Sequence, residues 1–504
     1  MNRQPISTTK SNLDKLALLK DIILGIASVL VIIVATLYPF NFSFHDSLSL
    51  REIVANFNNS SPFKDRANNI LLFMPLGFCF AALFERVRMK WISKLLIVVL
   101  ISAGLSTLVE ILQVFLPSRS PTPADIFNNT TGGLLGIICF NIWHSKQVVY
   151  MLVRIENSRT SYSPTKLILF FIGYVFIAFL LCITWQGTTL LSNWGLNYPL
   201  LLGNEQTGDR PWQGYIYDLN IADKAISPTE VSQILSRKNY LDTLGDSLIA
   251  SYELTGNGTY KDRTGKLPEL LPKGELPDNQ GGEGIALSST HWLETGSPVT
   301  PLSKRLRETS QFTIITTIAS ADINQTGPAR IISLSNDTVQ RNFTLGQEEN
   351  RLDLRLRTPI TGENGSDIGL YISDVFTDTK PHQIIITYSK ANVQVYVDNV
   401  QNAYSMNLLD RIPKDLKMFY YGISFIPMGV CLAFLTTLAK RKLTFYRLFL
   451  LSGILLPSLM MEVLLVSDTG KNLSLKNMLL GILFTAGTML ILRLQSSALV
   501  KKVA

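Results

Sequence analysis

The sequence of 504 residues has few charged side chains and few cysteines, and both shortages limit what the protein can be. Charged residues make up 17% of the chain, below the roughly 25% of soluble domains, and the mean hydropathy is +0.22, so membrane-spanning segments are expected. All four cysteines (Cys79, Cys139, Cys182 and Cys431) lie in apolar segments. The polar middle of the chain therefore has neither a disulfide framework nor a cysteine-based metal site.

The four histidines, His45, His144, His291 and His382, are too far apart in sequence to form a metal-ligand motif, and no cofactor is identified. Charge is also unevenly distributed. Residues 185–416 have 20 Lys and Arg against 27 Asp and Glu, a net charge of −7, and the remainder has 26 against 11, a net charge of +15. Because most of the basic surplus flanks apolar segments, it indicates membrane topology and argues against a nucleic-acid partner.

Eight segments are apolar over lengths close to the roughly 20 residues that a helix needs to cross a bilayer. The first follows a basic tail and has no small-x-small cleavage site after it, so we interpret it as an uncleaved span rather than a signal peptide. The second span is the shortest. The predicted spans are residues 22–37, 69–84, 91–115, 126–143, 167–185, 418–439, 443–466 and 475–492.

Lysine and arginine are distributed asymmetrically between the loops that connect these spans. With the N-terminus in the cytoplasm, the inner segments carry 19 Lys and Arg residues, and the short outer loops carry six. This difference is the positive-inside bias, and it requires an even number of spans. The sequence therefore predicts a multi-pass plasma-membrane protein with both termini cytoplasmic and residues 186–417 extracytoplasmic.

Between about residues 190 and 410 the pattern changes to short runs in which apolar and polar residues alternate. Examples are residues 312–318, 352–356 and 393–397. A period of two residues is typical of half-buried antiparallel strands, and many such runs indicate a β-sandwich. One short amphipathic helix is predicted at residues 228–237, after Ser227.

Four pieces of this region resemble a known family: P-W-Q-G-Y-I-Y-D-L-N-I-A-D-K-A-I-S-P-T-E-V from Pro211, L-I-A-S-Y-E-L-T-G-N-G from Leu248, F-T-I-I-T-T-I from Phe312 and V-Y-V-D-N from Val395. The region is similar to laminin-G-like and concanavalin A-like domains, which implies a jelly-roll sandwich. The piece that closes the domain in most relatives comes first here, which implies a circular permutation. Relatives usually have glycine where this chain has Asn399, and we expect Asn399 to adopt the left-handed turn.

Glucanases related to such domains cut glycans with paired carboxylates, but their alternating acidic strand, E-x-D-x-x-E, is absent here. The nearest acidic cluster, Glu348, Glu349 and Asp353, is interpreted as a turn and a solvated face. We therefore expect the region to bind a glycan or an envelope protein rather than to hydrolyse a glycan. A domain that only packs on the membrane part stays open as an alternative, as does a Ca²⁺ site in the sandwich.

Polar residues interrupt the apolar segments where predicted spans three and four meet. Glu110 and Gln113 lie near the end of the third span, Asp125 and Asn129 begin the fourth, and Arg119 lies in the loop between them. Spacings of three and four residues place each pair on one helix face. Because a carboxylate inside a bilayer costs about 3 kcal/mol even on lenient scales, this cluster is a candidate functional site.

Small residues in the same spans predict close helix packing. Gly132 and Gly136 form a small-xxx-small pair, which lets a helix approach its neighbour closely. Asn69 begins the second span, where Pro75, followed by Gly77, interrupts the helical hydrogen bonds and calls for polar partners nearby.

These residues carry a second resemblance: N-I-L-L-F-M-P-L-G-F from Asn69, E-I-L-Q from Glu110 and R-S-P-T-P-A-D-I-F-N-N-T-T-G-G-L-L-G from Arg119. Residues 20–150 resemble the VanZ-like membrane family, which implies a bacterial envelope context and a link to glycopeptide (teicoplanin) resistance or exopolysaccharide. The family offers no reaction to transfer. The matching positions are Asn69, Phe73, Pro75, Gly77, Glu110, Gln113, Arg119, Asp125, Asn129, Gly132 and Gly136.

The fold class predicted from both resemblances is a multi-domain protein with about eight membrane helices and an extracytoplasmic all-β jelly-roll sandwich. The expected parts are a cytoplasmic tail (1–20), a VanZ-like four-helix domain (21–150), a fifth membrane helix (165–185), the sandwich (190–410), three C-terminal membrane helices (418–493) and a second cytoplasmic tail (494–504).

Three functions stay open from the sequence. In the first, which is non-catalytic, the sandwich recognises glycan or protein and the polar cluster binds a polar or phosphate-bearing lipid headgroup, with Arg119 contacting the anion and Glu110 or Asp125 positioning it. The second is an intramembrane enzyme or transporter for lipid-linked sugars that uses Glu110 and Asp125 as acid and base. The third is a protein-binding scaffold. An ion-pair network that only holds the helices in register is the main alternative for the cluster itself.

The topology can be tested with reporter fusions. A reporter inserted near Asn257 is expected to be active outside the cytoplasm, because the basic residues gather on the opposite side of the membrane. A fusion at the C-terminus should report the cytoplasm. Cytoplasmic activity of the Asn257 fusion would contradict the predicted orientation.

Overall fold

A computed structural model describes residues 6–42, 63–87, 89–116, 122–144, 153, 164–236, 244–255, 259–274, 284–439 and 446–503. Arg119, which belongs to the predicted polar cluster, lies outside the described residues. The chain forms two compact units, one of Met1–Tyr162 with Leu490–Ala504 and the other of Ser163–Met489.

Seven described helices are long and apolar enough to cross a membrane, as expected for a multi-pass membrane protein. They coincide with seven of the eight spans expected from the sequence. The fourth expected span lies in the helix Pro123–His144, which is not among the seven because its first half, from Asp125 to Gly133, is rich in polar and small residues. An eight-span topology therefore stays a prediction.

The first unit contains four long helices: α1 (Ile6–Leu37), α2 (Phe63–Arg86), α3 (Trp91–Gln113) and α4 (Pro123–His144). Ile32, Phe73, Leu76 and Val109 form a buried apolar core between α1, α2 and α3. A second core lies where α2, α3 and α4 meet, and its buried members are Ala81, Val98, Ile137 and Phe140.

Glycines bring α2 and α4 into backbone contact. A Cβ atom added to Gly77 would lie 2.0 Å from the carbonyl oxygen of Gly133, and one added to Gly136 would lie 2.2 Å from that of Met74. A Cβ on Gly132 would lie 2.3 Å from the carbonyl oxygen of Ile70. These distances are far inside van der Waals contact, so each position admits only glycine at this helix separation.

Four further long helices and two short ones follow: α5 (Pro164–Gly187), α6 (Pro228–Ser236), α7 (Thr300–Thr309), α8 (Lys414–Ala439), α9 (Tyr446–Thr469) and α10 (Leu475–Val503). They belong to the second unit, except that α10 does so only as far as Met489. Polar side chains join the long helices to one another. The Tyr174 hydroxyl in α5 donates to the Gly453 carbonyl in α9 at 2.7 Å, and the Trp185 indole N–H donates to Ser424 in α8 at 3.1 Å.

Between α5 and α8 the chain forms two seven-stranded antiparallel sheets. The strands are β1 (Leu200–Leu202), β2 (Gly214–Ala222), β3 (Leu248–Glu253), β4 (Leu270–Gly274), β5 (Ile285–Leu287), β6 (His291–Thr295), β7 (Gln311–Ser320), β8 (Ala329–Ser335), β9 (Arg341–Glu348), β10 (Arg351–Leu356), β11 (Leu370–Ile372), β12 (His382–Ser389), β13 (Asn392–Val397) and β14 (Asn399–Asn407). The order of strands in the first sheet is β11-β10-β9-β8-β1-β6-β4. In the second sheet the order is β14-β13-β12-β7-β2-β3, with β5 paired to β2.

The two sheets pack face to face through an aromatic core. The Phe312 ring of β7 lies 6.2 Å from the Phe343 ring of β9 and 5.5 Å from the Tyr388 ring of β12, with Trp194 packed beside them. The alternation expected at residues 352–356 is present, because the three leucines of β10 are buried between partly exposed neighbours.

Two local expectations have different outcomes. The predicted short helix is α6, and Ser227 caps it reciprocally: the Ser227 backbone N–H donates to Glu230 at 2.7 Å, and the Glu230 backbone N–H donates to Ser227 Oγ at 3.3 Å. The expected left-handed turn at Asn399 is wrong. Asp398 has the positive φ, of 60°, because its carboxylate accepts from the Gln383 backbone N–H at 2.8 Å and holds the bend one residue earlier.

Within the second unit, the sandwich is joined to the connection between α9 and α10. Lys390 forms an ion pair with Asp468, and the side-chain amide of Asn407 donates to the carbonyl of Thr469 at 2.9 Å. Asp410 accepts from the Asn472 backbone N–H at 3.0 Å. The β-rich part therefore has fixed polar contacts with these helices rather than a free linker.

The glycine contacts predict a matched mutational result. Gly136→Ala places a methyl group against the backbone of α2, so α2 and α4 must separate, and we expect a loss of about 1–3 kcal/mol of stability. Gly104→Ala is the control, because nothing lies within 4 Å of its Cβ position and alanine favours helix. Thermal unfolding of the detergent-solubilised protein measures both. Equal melting temperatures for the two variants would contradict the close approach.

Candidate functional site

One face of α3 carries a row of buried polar side chains in an otherwise apolar helix. Ser102, Ser106 and Glu110 follow one another at four-residue spacing, and Gln113 continues the row. Residues three and four apart lie above one another on one helix face. The face is turned toward protein rather than lipid, because Ser102 and Ser106 have no exposed surface and Glu110 is 2% exposed.

Glu110 joins α3 to the beginning of α4. Its Oε2 atom accepts a hydrogen bond from the backbone N–H of Thr122 at 2.9 Å, and α4 begins at the next residue, Pro123. A carboxylate at this place satisfies one of the unpaired N–H groups of a helix start and interacts favourably with the positive end of the helix dipole. Asp125, in the first turn of α4, also interacts electrostatically with Glu110.

A second polar contact lies about one turn before Glu110 on α3 and about two turns after Thr122 on α4. The side-chain amide nitrogen of Asn129 donates to Ser106 Oγ at 2.8 Å. Gln113 turns to a different neighbour, because its amide nitrogen donates to the backbone carbonyl of Thr36 in α1 at 3.0 Å. The row on α3 therefore reaches both α4 and α1.

Several buried polar atoms around this row have no hydrogen-bond partner among the described residues. Burial of a polar group without a partner costs about 1–3 kcal/mol. These atoms can therefore accept from or donate to a polar ligand or water. They are Ser102 Oγ, Thr122 Oγ1, Asn128 Nδ2 and Asn129 Oδ1.

Of the residues predicted to form the site, Glu110, Asp125 and Asn129 lie at the same junction of α3 and α4. Gln113 lies beside them but contacts α1. Asn69 is half-buried on α2, and among the described residues no hydrogen bond joins its side chain to this junction. Arg119 is outside the described residues.

Four residues of the junction were not predicted from the sequence: Ser102, Ser106, Thr122 and Asn128. The two serines could have been found, because their four-residue spacing from Glu110 in an apolar helix indicates a buried polar face. Thr122 and Asn128 carried no such signal. We name the set of Ser102, Ser106, Glu110, Thr122, Asn128 and Asn129 the α3–α4 polar junction.

The sandwich has a separate polar cavity of about 190 Å³ on its first sheet. The Arg351 guanidinium lies 5.6 Å from the centroid of the Tyr371 ring, and Arg355 Nε lies 3.1 Å from Asp353. Glu348 also lines the cavity. The sequence placed Glu348, Glu349 and Asp353 in a turn and on a solvated face. Glu348 and Asp353 instead line this cavity. Of the three, Glu349 lies in the turn, with φ of 53°.

Buried charges lie next to this cavity in the same sheet. Arg330 Nε donates to Glu205 at 3.3 Å, and both residues are almost fully buried. Burial lowers the pKa of Arg330 to about 10, so its guanidinium stays cationic at neutral pH. Arg330 lies beside Gly346 of β9, and Gly346 pairs in register with Asp353 of the cavity. The buried Arg330–Glu205 pair is therefore only one strand away from the charged side chains of the cavity.

Among the described residues, no group of three or more His, Cys, Asp or Glu side chains could hold a metal ion. The Ca²⁺ site that the sequence left open is therefore not supported by a ligand cluster in the described part of the chain.

Residues 25–144 match the model of the family described as VanZ/LLP1. This part of the chain is a VanZ-like domain. The match includes α2, α3 and α4 and hence the whole α3–α4 polar junction. Neither the curated proteins nor the solved structures include a match to the chain. The resemblance of residues 190–410 to laminin-G-like domains is consistent with the two-sheet sandwich and stays a prediction.

Proposed function

We propose that the VanZ-like domain binds the polar headgroup of a phosphate-bearing, lipid-linked component of the bacterial envelope at the α3–α4 polar junction. The observation that carries the proposal is the group of four buried polar atoms of the junction that have no hydrogen-bond partner among the described residues. A headgroup with hydroxyl and phosphate oxygens offers both donors and acceptors to such atoms.

One end of the junction suits an anionic ligand. Thr122 immediately precedes α4, and the N-terminus of a helix favours negative charge. Arg119, nine residues after Glu110 in the sequence, is proposed as the contact for the phosphate, because guanidinium groups bind phosphate through paired hydrogen bonds.

The geometry favours binding over catalysis. The Glu110 carboxylate already has a structural role, because its Oε2 accepts from the Thr122 backbone N–H at the start of α4. The unpartnered atoms of the junction belong to hydroxyl and amide groups, which bind polar ligands but do not transfer protons at neutral pH. The alternative of an intramembrane enzyme or transporter that uses Glu110 and Asp125 therefore ranks second.

Headgroup binding can be tested by measuring which lipids stay with the purified protein. Native mass spectrometry of the wild type should show a retained phosphate-bearing lipid. Asn129→Ala and Arg119→Lys should lower its occupancy at least about tenfold, which corresponds to roughly 1.4 kcal/mol of binding free energy.

Thr107→Val is the matched control, because Thr107 is exposed on the same helix and, among the described residues, its hydroxyl donates to the carbonyl of Ala103 alone. It should retain the lipid like the wild type. If both test variants are folded and keep the lipid at wild-type occupancy, or if the wild type retains none, the proposal is wrong.

The cavity of the sandwich supports a second binding function. We propose that it holds one sugar residue of an envelope glycan, because its size suits a single ring. Its lining combines an aromatic face (Tyr371) with charged donors and acceptors, as polar ligand pockets do. The sandwich would then recognise the glycan on the outer side of the membrane, in agreement with the predicted topology.

Glycan binding is tested with the full-length protein on a glycan array. Tyr371→Ala removes the exposed ring of edge strand β11 and should lower binding about tenfold, because ring stacking is lost. Tyr404→Ala is the control, since Tyr404 is a similarly exposed tyrosine on β14, the edge of the other sheet. Equal binding by Tyr371→Ala and Tyr404→Ala would exclude this cavity as the glycan site.

A further inference from the structure

A sequence pattern of the VanZ-like domain recurs near the end of the chain. The segment F-M-P-L-G-F-C, from Phe73 to Cys79, has the counterpart F-I-P-M-G-V-C, from Phe425 to Cys431. In both, phenylalanine, proline, glycine and cysteine alternate with apolar residues within a long helix, α2 in the first and α8 in the second.

A second block recurs at the same distance from the first. S-T-L-V-E-I-L-Q-V from Ser106 corresponds to S-L-M-M-E-V-L-L-V from Ser458. Glu110 lies 37 residues after Phe73, and Glu462 lies 37 residues after Phe425. Both positions therefore align with a constant shift of 352 residues and no gap.

The alignment continues through the connection to the next helix. Nine residues after the glutamate stands a basic residue, Arg119 or Lys471, and twelve residues after it stands a hydroxyl residue, Thr122 or Ser474. The next helix begins thirteen residues after the glutamate in both, at Pro123 for α4 and at Leu475 for α10.

The described contacts recur as well. The Ser474 backbone N–H donates to Glu462 Oε1 at 2.6 Å, as the Thr122 backbone N–H donates to Glu110. A Cβ on Gly429 would lie 2.6 Å from the carbonyl oxygen of Thr485, and these two residues correspond to Gly77 and Gly133. Four buried positions of α3 are also buried in α9: Ser106, Val109, Glu110 and Gln113 correspond to Ser458, Met461, Glu462 and Leu465.

From this agreement in spacing and in contacts we infer that residues 164–187 and 414–503 are a second VanZ-like module. In chain order, α5 stands where α1 stands in the first module, and α8, α9 and α10 stand where α2, α3 and α4 stand. The sandwich is then an insertion between the first and second helices of the second module, where the first module has only residues 38–62.

Positions that both modules share are assigned a structural role, and polar positions found in the first module alone are assigned to ligand binding. The glutamate, its helix-start hydrogen bond and the serine on the same face occur in both. Polar groups of the first module are replaced in the second: Gln113 corresponds to Leu465, Asn129 to Gly481 and Asn69 to Tyr421.

One oxygen of the glutamate of the second module is occupied by its own chain. Lys471 forms a buried ion pair with Oε1 of Glu462, and both side chains are 1% exposed. The adjoining connection is covered by the sandwich through Asn407 and Asp410. The shared glutamate therefore holds two consecutive helices together in each module, and, given the headgroup binding proposed above, the amides of Asn128 and Asn129 would serve binding in the first module alone, because the second has leucine and glycine there.

The structural role of Glu462 is tested first. Glu462→Gln leaves the Lys471 ammonium buried without its counter-charge, so the melting temperature should fall. The double variant Glu462→Gln with Lys471→Met removes both charges and should recover most of the loss. Glu253→Gln on the exposed surface is the control. An unchanged melting temperature for Glu462→Gln, or no recovery in the double variant, would overturn the inference.

The equivalence of the modules is tested by giving the first module residues of the second. The double variant Gln113→Leu/Asn129→Gly should stay folded, because the second module has leucine and glycine at the corresponding positions. Its melting temperature should fall by less than about 5 °C. Ser106 can then donate to the carbonyl of Ile126, as Ser458 donates to that of Met478 at 2.7 Å. Glu110→Leu changes a shared position and should prevent folding.

Lipid retention by the same double variant separates the two claims. A folded variant that has lost its lipid supports both the repeated module and headgroup binding. A folded variant that keeps the lipid supports the repeat and contradicts headgroup binding. If the double variant unfolds as Glu110→Leu does, the repeat is wrong, whatever the lipid result in the single variants.

Discussion

The hydrogen bond from the Thr122 backbone N–H to the Glu110 carboxylate is the interaction on which the VanZ-like domain depends. No water is available inside a bilayer to satisfy a carboxylate or a helix start, so each must find a partner in the protein. By meeting each other, the two groups fix where α4 begins relative to α3. That register then places Asn129 against Ser106 and turns Gly132 and Gly136 toward α2.

The same solution is used in the second unit with one change. Glu462 accepts from the Ser474 backbone N–H, and a lysine supplies the counter-charge within the described residues. The connection that follows is held by the sandwich. In both units a buried carboxylate thus bridges two consecutive helices, a structural role that needs no ligand.

Much of the architecture could be predicted from the sequence, because membrane spans and alternating strands leave strong periodic signals. Seven of the expected spans are helices of spanning length, and the strands expected around Phe312, Leu352 and Val393 are present. The fourth span gave a weaker signal because its first half is polar. That polarity is explained by its packing between α2 and α3, where glycine and asparagine meet protein.

The candidate site was only partly predictable. Glu110 and Asn129 stand out because charge and amide groups are rare in apolar segments, whereas serine is common enough in membrane helices to pass unnoticed. Ser106 acquires meaning only when Asn129 is seen to donate to it. The contact of Gln113 with the Thr36 carbonyl depends on how α1 packs, which no local pattern encodes. The cavity at Tyr371 likewise depends on the pairing of β10 with β11.

Whether the α3–α4 polar junction holds a lipid headgroup can be seen in a structure of the protein in lipid nanodiscs, at a resolution that shows bound lipids. We expect headgroup density with polar atoms about 3 Å from Thr122 Oγ1 and Asn129 Oδ1, the distance of a hydrogen bond. Protein groups alone, or isolated waters, at both atoms would contradict it.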